Sequence, residues 1–279
     1  MVIRCWGARG SIPVCGEEYI KYGGDTTCME IRSKDNEIII IDAGSGIRRL
    51  GDRLLAENQK KLSILFTHLH MDHIVGFPFF KPLHYKSVHM EIHGCSFARE
   101  SIKGILSKAI TPPYFPVDLD DYHANISYRD VCSDTFTIGS IDITPILLSH
   151  PNRGYGYKFV EDGKSFVFLT DNELTFRHPG GLEYPAYLSF SEGADLLIHD
   201  AEFTGEEYKK KKEWGHSVYE DALRLAIEAQ VKRFGLFHHN QDRADADIDE
   251  MVAHCRSVIK NQKPGMECFA VRQGMEITI

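Results

Sequence analysis

Short apolar runs rich in Val, Ile and Phe recur along the chain, at residues 38–41, 62–66, 141–148, 165–169, 196–198 and 234–237. The pattern predicts buried strands. Between them, apolar residues at helical spacing predict helices at about 46–57, 97–109, 218–230 and 247–260. Strands and helices therefore mix along the whole length, which is an α/β arrangement. The helix after Ser217 has the best-defined start: Ser217 and Glu220 spell an S-x-x-E capping box, with Val218, Ala222, Leu225 and Ala229 following on one face. No repeat or low-complexity segment divides the chain. The Pro-rich TPPYFPVDLDD at 111–121 reads as one long loop, so the expectation is a single domain over residues 1–279 with a loop-rich insertion at about 77–135.

The polar residues that end these runs carry the chemistry. Directly after the second strand comes THLHMDH, in which His68, His70, Asp72 and His73 have the spacing H-x-H-x-D-H. On one continuous helix His68 and His70 would face apart, and on a continuing strand His73 would point away from the other three. A strand that breaks into a loop and then a helix lets His68 and His70 hold one cation while Asp72 and His73 turn to a second. Imidazole and carboxylate suit zinc, manganese and iron, and a catalytic site keeps positions open for water. Four residues cannot complete two such sites, so further ligands are expected where later strands end. Three residues fit that place: His150 after ITPILLS, Asp171 after SFVFLT and His238 after RFGLF.

Composition narrows the class without choosing it. Of 279 residues, 43% are apolar and 26% charged, as in ordinary soluble proteins. The start MVIRCWGARG lacks the apolar core of a signal peptide and no apolar run is long enough to span a bilayer, so the expectation is a cytoplasmic protein with no membrane partner. The seven cysteines are scattered and form no CxxC, which fits reduced thiols better than disulfides or thiolate ligands. A net charge of −8 disfavours a large nucleic acid as partner, because such binding relies on Lys and Arg neutralising phosphates.

These motifs, in this order, resemble the metallo-β-lactamase-fold hydrolases over nearly the whole chain: IIIDAGSG at 39–46, THLHMDH, LLSHPNRGYGYKF, FVFLTDNE, LLIHDAEF, GHSVYEDA and RFGLFHH. The resemblance implies a four-layer αβ/βα sandwich with a dinuclear centre at one edge. It implies that His68, His70 and His150 hold one divalent cation, that Asp72, His73 and His238 hold the other, and that Asp171 bridges them. Zinc is the expected metal, with manganese or iron as alternatives. His238 is preferred over the adjacent His239 because it directly follows the apolar run. Asp42, in DAGSG, is expected behind the metal loop or in a plain turn. The remaining His84, His89, His93, His123, His178 and His254 are expected on the surface or in loops.

Within that family the pair HDAEF and GHS resembles the ribonuclease Z and small phosphodiesterase branch. The resemblance implies that His216 contacts the phosphoryl oxygen or protonates the leaving group, oriented by Asp200; Asp72 is expected to orient the attacking hydroxide or to accept its proton. His216 also stands just before the predicted helix, whose N-terminus would favour a phosphate. The expected activity is metal-dependent hydrolysis of a small phosphodiester, such as a cyclic nucleotide or dinucleotide. Three rivals remain: cleavage of transfer RNA precursors, thioester hydrolysis, and a non-hydrolytic di-iron oxygen or redox sensor. The KKKK run from Lys209 to Lys212 reads as a solvated helix face with a phosphate-steering alternative. Tyr114 and Phe115 read either as a lid that stacks on a base or as a pin for their loop. A homodimer is an expectation of the family.

Overall fold

The computed structural model describes residues 1–95, 101–131 and 134–279. In the first half, β1 (Val2–Gly7), β2 (Cys28–Arg32) and β3 (Ile38–Ile41) precede α1 (Ile47–Ala56) and β4 (Lys61–Leu65). The one-turn α2 (Met71–Ile74), β5 (His89–Gly94), α3 (Ile102–Ala109) and β6 (Asn125–Asp130) follow. The second half begins with β7 (Phe136–Ile138), β8 (Ile141–Leu147), β9 (Tyr155–Glu161), β10 (Lys164–Leu169), α4 (Tyr184–Ser191) and β11 (Leu196–Asp200). It continues through α5 (Gly205–Lys211), α6 (Tyr219–Glu228), β12 (Arg233–Phe237), α7 (Asp245–Gln262), β13 (Glu267–Ala270) and β14 (Glu276–Thr278).

The strands form two seven-stranded sheets, ordered β14-β1-β2-β3-β4-β5-β6 and β13-β12-β11-β10-β9-β8-β7. Read from β14 and from β7, each sheet steps three times antiparallel and then three times parallel. The side chains of β10 show how the layers stack. Phe166 and Phe168 join the core shared with β1–β6, α1 and α3, whereas Val167 and Leu169 join the core beneath α4, α6 and α7. Alternation along a strand sends neighbours to opposite faces, so the second sheet lies between the first sheet and its own helices. With α1 and α3 covering the first sheet, the expected four-layer α/β sandwich is observed. α1 buries Ile47, Leu50, Gly51 and Leu54, the spacing of one helical face.

All six strands read from the pattern are present, with ends shifted by a residue or so. Several expectations need correction. The stretch at 77–135, expected as a loop-rich insertion, supplies β5 and β6, which extend the first sheet in parallel. The capping box at Ser217 does not form: α6 begins at Tyr219 with Val218 at its N-cap, and Ser217 Oγ instead donates to Asn172 O at 2.5 Å. Tertiary contacts claim that hydroxyl before the helix can use it. The first part of the helix expected at 97–109 lies outside the described residues, as does Cys132, and α3 accounts for the rest. His93 is buried in β5 rather than on the surface or in a loop, whereas His178 does lie in a loop, though a buried one. His93 stacks on Phe136, with ring centroids 5.4 Å apart. Phe115 packs edge-on against Phe79 and so pins its loop, while Tyr114 is exposed. Among the described residues no helix is long and apolar enough to cross a membrane.

Candidate metal centre

β4, β10, β11 and β12 end at one edge of the sandwich, and β8, two antiparallel steps from β10, ends there too. Each carries a polar residue into that edge. After β4 the chain leaves the strand at Leu65, passes His68 and His70 in extended form, and turns into α2, which carries Asp72 and His73. This break is the one that the H-x-H-x-D-H spacing required. Asp171 and His238 follow their strands with φ of 51° and 56°, as does Asp42 after β3 with φ 60°. Left-handed backbone at non-glycine residues is costly and is kept where surroundings enforce it.

Two groups of ligand atoms result. His68 Nε2 lies 3.0 Å from His70 Nδ1, which lies 3.1 Å from His150 Nε2. Beside this triad, His73 Nε2 lies 3.4 Å from Asp72 Oδ2 and 3.3 Å from Asp171 Oδ1. His238 Nε2 closes the second group, at 3.2 Å from Asp72 Oδ2 and 3.4 Å from Asp171 Oδ1. Asp171 joins the two: its other oxygen, Oδ2, lies 3.6 Å from His68 Nε2 and 3.8 Å from His150 Nε2. One carboxylate thus offers an oxygen to each group. All seven residues expected as ligands are brought together, while His239 turns away and meets Val271 O at 2.8 Å.

The outward ring nitrogens are fixed by partners, as imidazoles that hold metals require. His73 Nδ1 meets Asp42 Oδ2 at 2.8 Å, and Asp42 also accepts from the Thr67 amide and hydroxyl at 2.7 Å each. His238 Nδ1 meets Glu202 Oε2 at 3.0 Å, and His150 Nδ1 meets Gly215 O at 2.9 Å. Asp72 Oδ2 accepts from Ser11 N at 2.9 Å. Glycine allows two close approaches, because a side-chain carbon at Gly10 would strike the His238 ring and one at Gly215 would strike His150.

Electrostatics divide the groups. Burial holds His68 well below its ordinary pKa and takes His150 down to about 3, so their ring nitrogens keep free lone pairs. Burial also opposes charge on His73 and His238 but is outweighed, chiefly by Asp72 and Asp171 for His73 and by Asp171, Asp72 and Glu202 for His238. Without a cation, that second group collects protons against its carboxylates. A divalent ion would replace them. His73 Nε2 is a buried nitrogen without a hydrogen-bond partner, and in the triad three ring nitrogens converge, with His70 Nδ1 within 3.1 Å of both others. The residues therefore fit a pair of cations: the two His/Asp clusters are consistent with a dinuclear site.

At the margin stands His216, whose Nδ1 lies 2.9 Å from Asp200 Oδ2 and 3.3 Å from Glu202 Oε2. Its ring stacks on His238 at 4.8 Å between centroids. Burial works against its charge, but Glu202 and then Asp200 outweigh it and raise the imidazole to about 9. The expected helix N-terminus is not free here. The Ser217 amide is taken by Asp200 Oδ2 and the Tyr219 amide by Phe203 O. Sequence reasoning passed over Glu202, Asn172 and Glu173, although each lies inside a quoted run just past a strand end, the position that marked the other residues.

The stacked sheets and the edge cluster define a metal-dependent hydrolase. The chain belongs to the beta-lactamase superfamily, whose domain model matches residues 37–239. It is 25% identical to the ribonuclease Z of Haloferax volcanii, over 88% of this chain and 87% of that one. Its fold matches a diphosphatase of the PhnP family at TM-score 0.70 with 18% identity, covering 100% of this chain and 97% of the other. It matches unliganded yeast PDE1 at TM-score 0.68 with 14% identity, covering 100% and 99%.

Proposed function

We propose that the protein is a dinuclear phosphodiesterase acting on a small phosphodiester such as a cyclic nucleotide or dinucleotide. The observation that carries this reading is the juxtaposition of a carboxylate shared by two histidine groups with an imidazolium held by two acids at their margin. In it His68, His70 and His150 would hold one divalent ion and Asp72, His73 and His238 the other, with Asp171 available to both. Such ions, when bound, supply an activated water at neutral pH and neutralise charge on the phosphoryl oxygens. Zinc, manganese and iron all suit these ligands.

The chain's own residues do the rest. Asp72, tethered by the Ser11 amide, would orient the attacking water or accept its proton. Asp200 and Glu202 share His216 Nδ1, which leaves Nε2 as the nitrogen to meet a substrate. From there it donates a proton to the departing oxygen as the bond to phosphorus breaks. The shape match to a PhnP-family diphosphatase and to yeast PDE1 is a likeness of fold, and a small phosphate ester as substrate agrees with the names of those two neighbours. The sequence similarity to ribonuclease Z supports a second reading, cleavage of transfer RNA precursors.

The test is hydrolysis of bis-p-nitrophenyl phosphate by protein loaded separately with zinc, manganese and iron, beside Asp171→Ala. Metal-dependent turnover that vanishes in the variant is expected. Cyclic nucleotides, dinucleotides and a precursor transfer RNA assayed next then separate the two readings. No turnover with any metal, despite two ions bound per chain, would overturn both.

A further inference from the structure

Four residues after β10, two beyond Asp171, lies a buried carboxylate that no step above uses. Glu173 is 1% exposed and accepts four hydrogen bonds: from Tyr208 Oη at 2.5 Å, and from Glu213 N, Gly215 N and His178 Nε2 at 2.8 Å each. Four donors fill the acceptor positions of a carboxylate, so the group is fully satisfied without a lysine or arginine. Two of those donors are backbone amides of the segment that ends in His216.

That segment is also held past His216, where Asp200 Oδ2 takes the Ser217 amide, Asn172 O the Ser217 hydroxyl and Phe203 O the Tyr219 amide, while Glu173 meets the part before it. The segment leaves α5 after Lys211, passes Glu213 with φ 72° and Gly215 with φ 95°, and enters α6 at Tyr219. Its backbone delivers two things to the centre: Gly215 O against His150 Nδ1, and the His216 ring between Asp200 and Glu202. We propose that Glu173 is the positioning residue that sets the 213–216 segment, and through it the reach of His216 toward the leaving group. This rests on the proposed role of His216 as proton donor. Asp171 and Glu173 leave β10 together, so one short stretch of chain aims both the carboxylate shared by the metal groups and the acid that finishes the reaction. Asn172 between them ties down the neighbouring loops, accepting from Ser149 N through its side chain and from Ser217 Oγ through its carbonyl.

Glu173→Gln keeps shape but turns one acceptor into a donor facing another donor. The experiment compares kcat of the metal-loaded enzyme on two esters: bis-p-nitrophenyl phosphate, whose leaving group departs without a proton, and a dinucleoside monophosphate, whose alkoxide needs one. A misplaced acid costs only the second reaction, by roughly 30-fold or more against less than about 3-fold on the first, within the usual range for general acids. In the double variant with His216→Ala, Glu173→Gln adds nothing further. Glutamine keeps one oxygen, so amide exchange in metal-free protein accelerates at least about tenfold at whichever of Glu213 and Gly215 loses its acceptor. Tyr208→Phe, which removes one donor, shifts the same ratio of kcat values by a few-fold and serves if Glu173→Gln does not fold. Equal losses on both esters, additive losses in the double variant, or unchanged exchange would each overturn the proposal. If the unsubstituted enzyme hydrolyses neither ester, the phosphodiesterase reading falls instead, and amide exchange alone then decides whether Glu173 holds the segment.

Discussion

At the scale of single residues, the centre is built from side chains that gain their roles from what stands behind them. Asp171 is acidic because His238, His73 and His68 outweigh its burial, and that field is what a cation would inherit. Asp171→Ala removes an oxygen from each group at once, so metal per chain is expected to fall from two toward zero by elemental analysis, with turnover lost. His216 borders both groups, its Nδ1 3.9 Å from Asp171 Oδ2, but is not among the seven residues proposed to hold the ions. His216→Ala should keep both metals and lower kcat by about 10² to 10⁴ on an ester with a poor leaving group. Gly215→Ala strains a residue at φ 95° and drives a methyl group into His150. Elemental analysis should then find the triad's ion bound more weakly, by about 10-fold or more, with the second ion retained. The sequence made the four clustered ligands legible because their spacing has no other physical use. It left Glu202 and Glu173 unread, since an acid two to four residues past a strand is ordinary until a donor is seen to meet it.

Among elements, the metal edge depends on strands held in register from the opposite edge. Asp195, just before β11, accepts from Ser165 N at 2.9 Å, Lys164 Nζ at 3.2 Å and Lys232 Nζ at 2.8 Å, which ties the starts of β10 and β12 to β11. Burial raises its carboxyl, but Lys232, the Ser165 amide and Lys164 prevail and take it down to about 2. A folded pKa below the unfolded one gives stability that is present above about 4 and is lost as pH falls through about 2. The two lysines are largely exposed, so screening limits the contribution to about 1 kcal/mol. Chemical denaturation of Asp195→Asn should show that loss at pH 7 and a shallower decline between pH 4 and pH 2. Helix and strand positions were readable at this scale wherever apolar residues keep a period. The short amphipathic strands were not: β6 alternates exposed and half-buried residues and reads as loop until β5 is beside it.

For the whole molecule, two sheets with the same sequence of pairings meet so that their parallel strands finish at one edge, where carboxylates crowd against one another and against imidazoles. Bound cations should therefore stabilise the fold. At a hundredfold excess over its dissociation constant each ion contributes about 2.7 kcal/mol, which raises Tm by about 5 °C or more in a chain of this size. Calorimetry before and after chelation should show that rise, much reduced in Asp171→Ala. The sequence by itself determined the alternation of strands and helices, the H-x-H-x-D-H cluster and the strand-end positions of His150, Asp171 and His238, because periodicity and ligand spacing are local properties. Only the tertiary structure decided that Asp171 turns one oxygen to each group, that His238 faces the centre while His239 meets a backbone carbonyl, and that Glu173 holds the His216 segment. Those arrangements depend on distances between residues as far apart in the chain as Asp72 and His238, and only packing sets such distances.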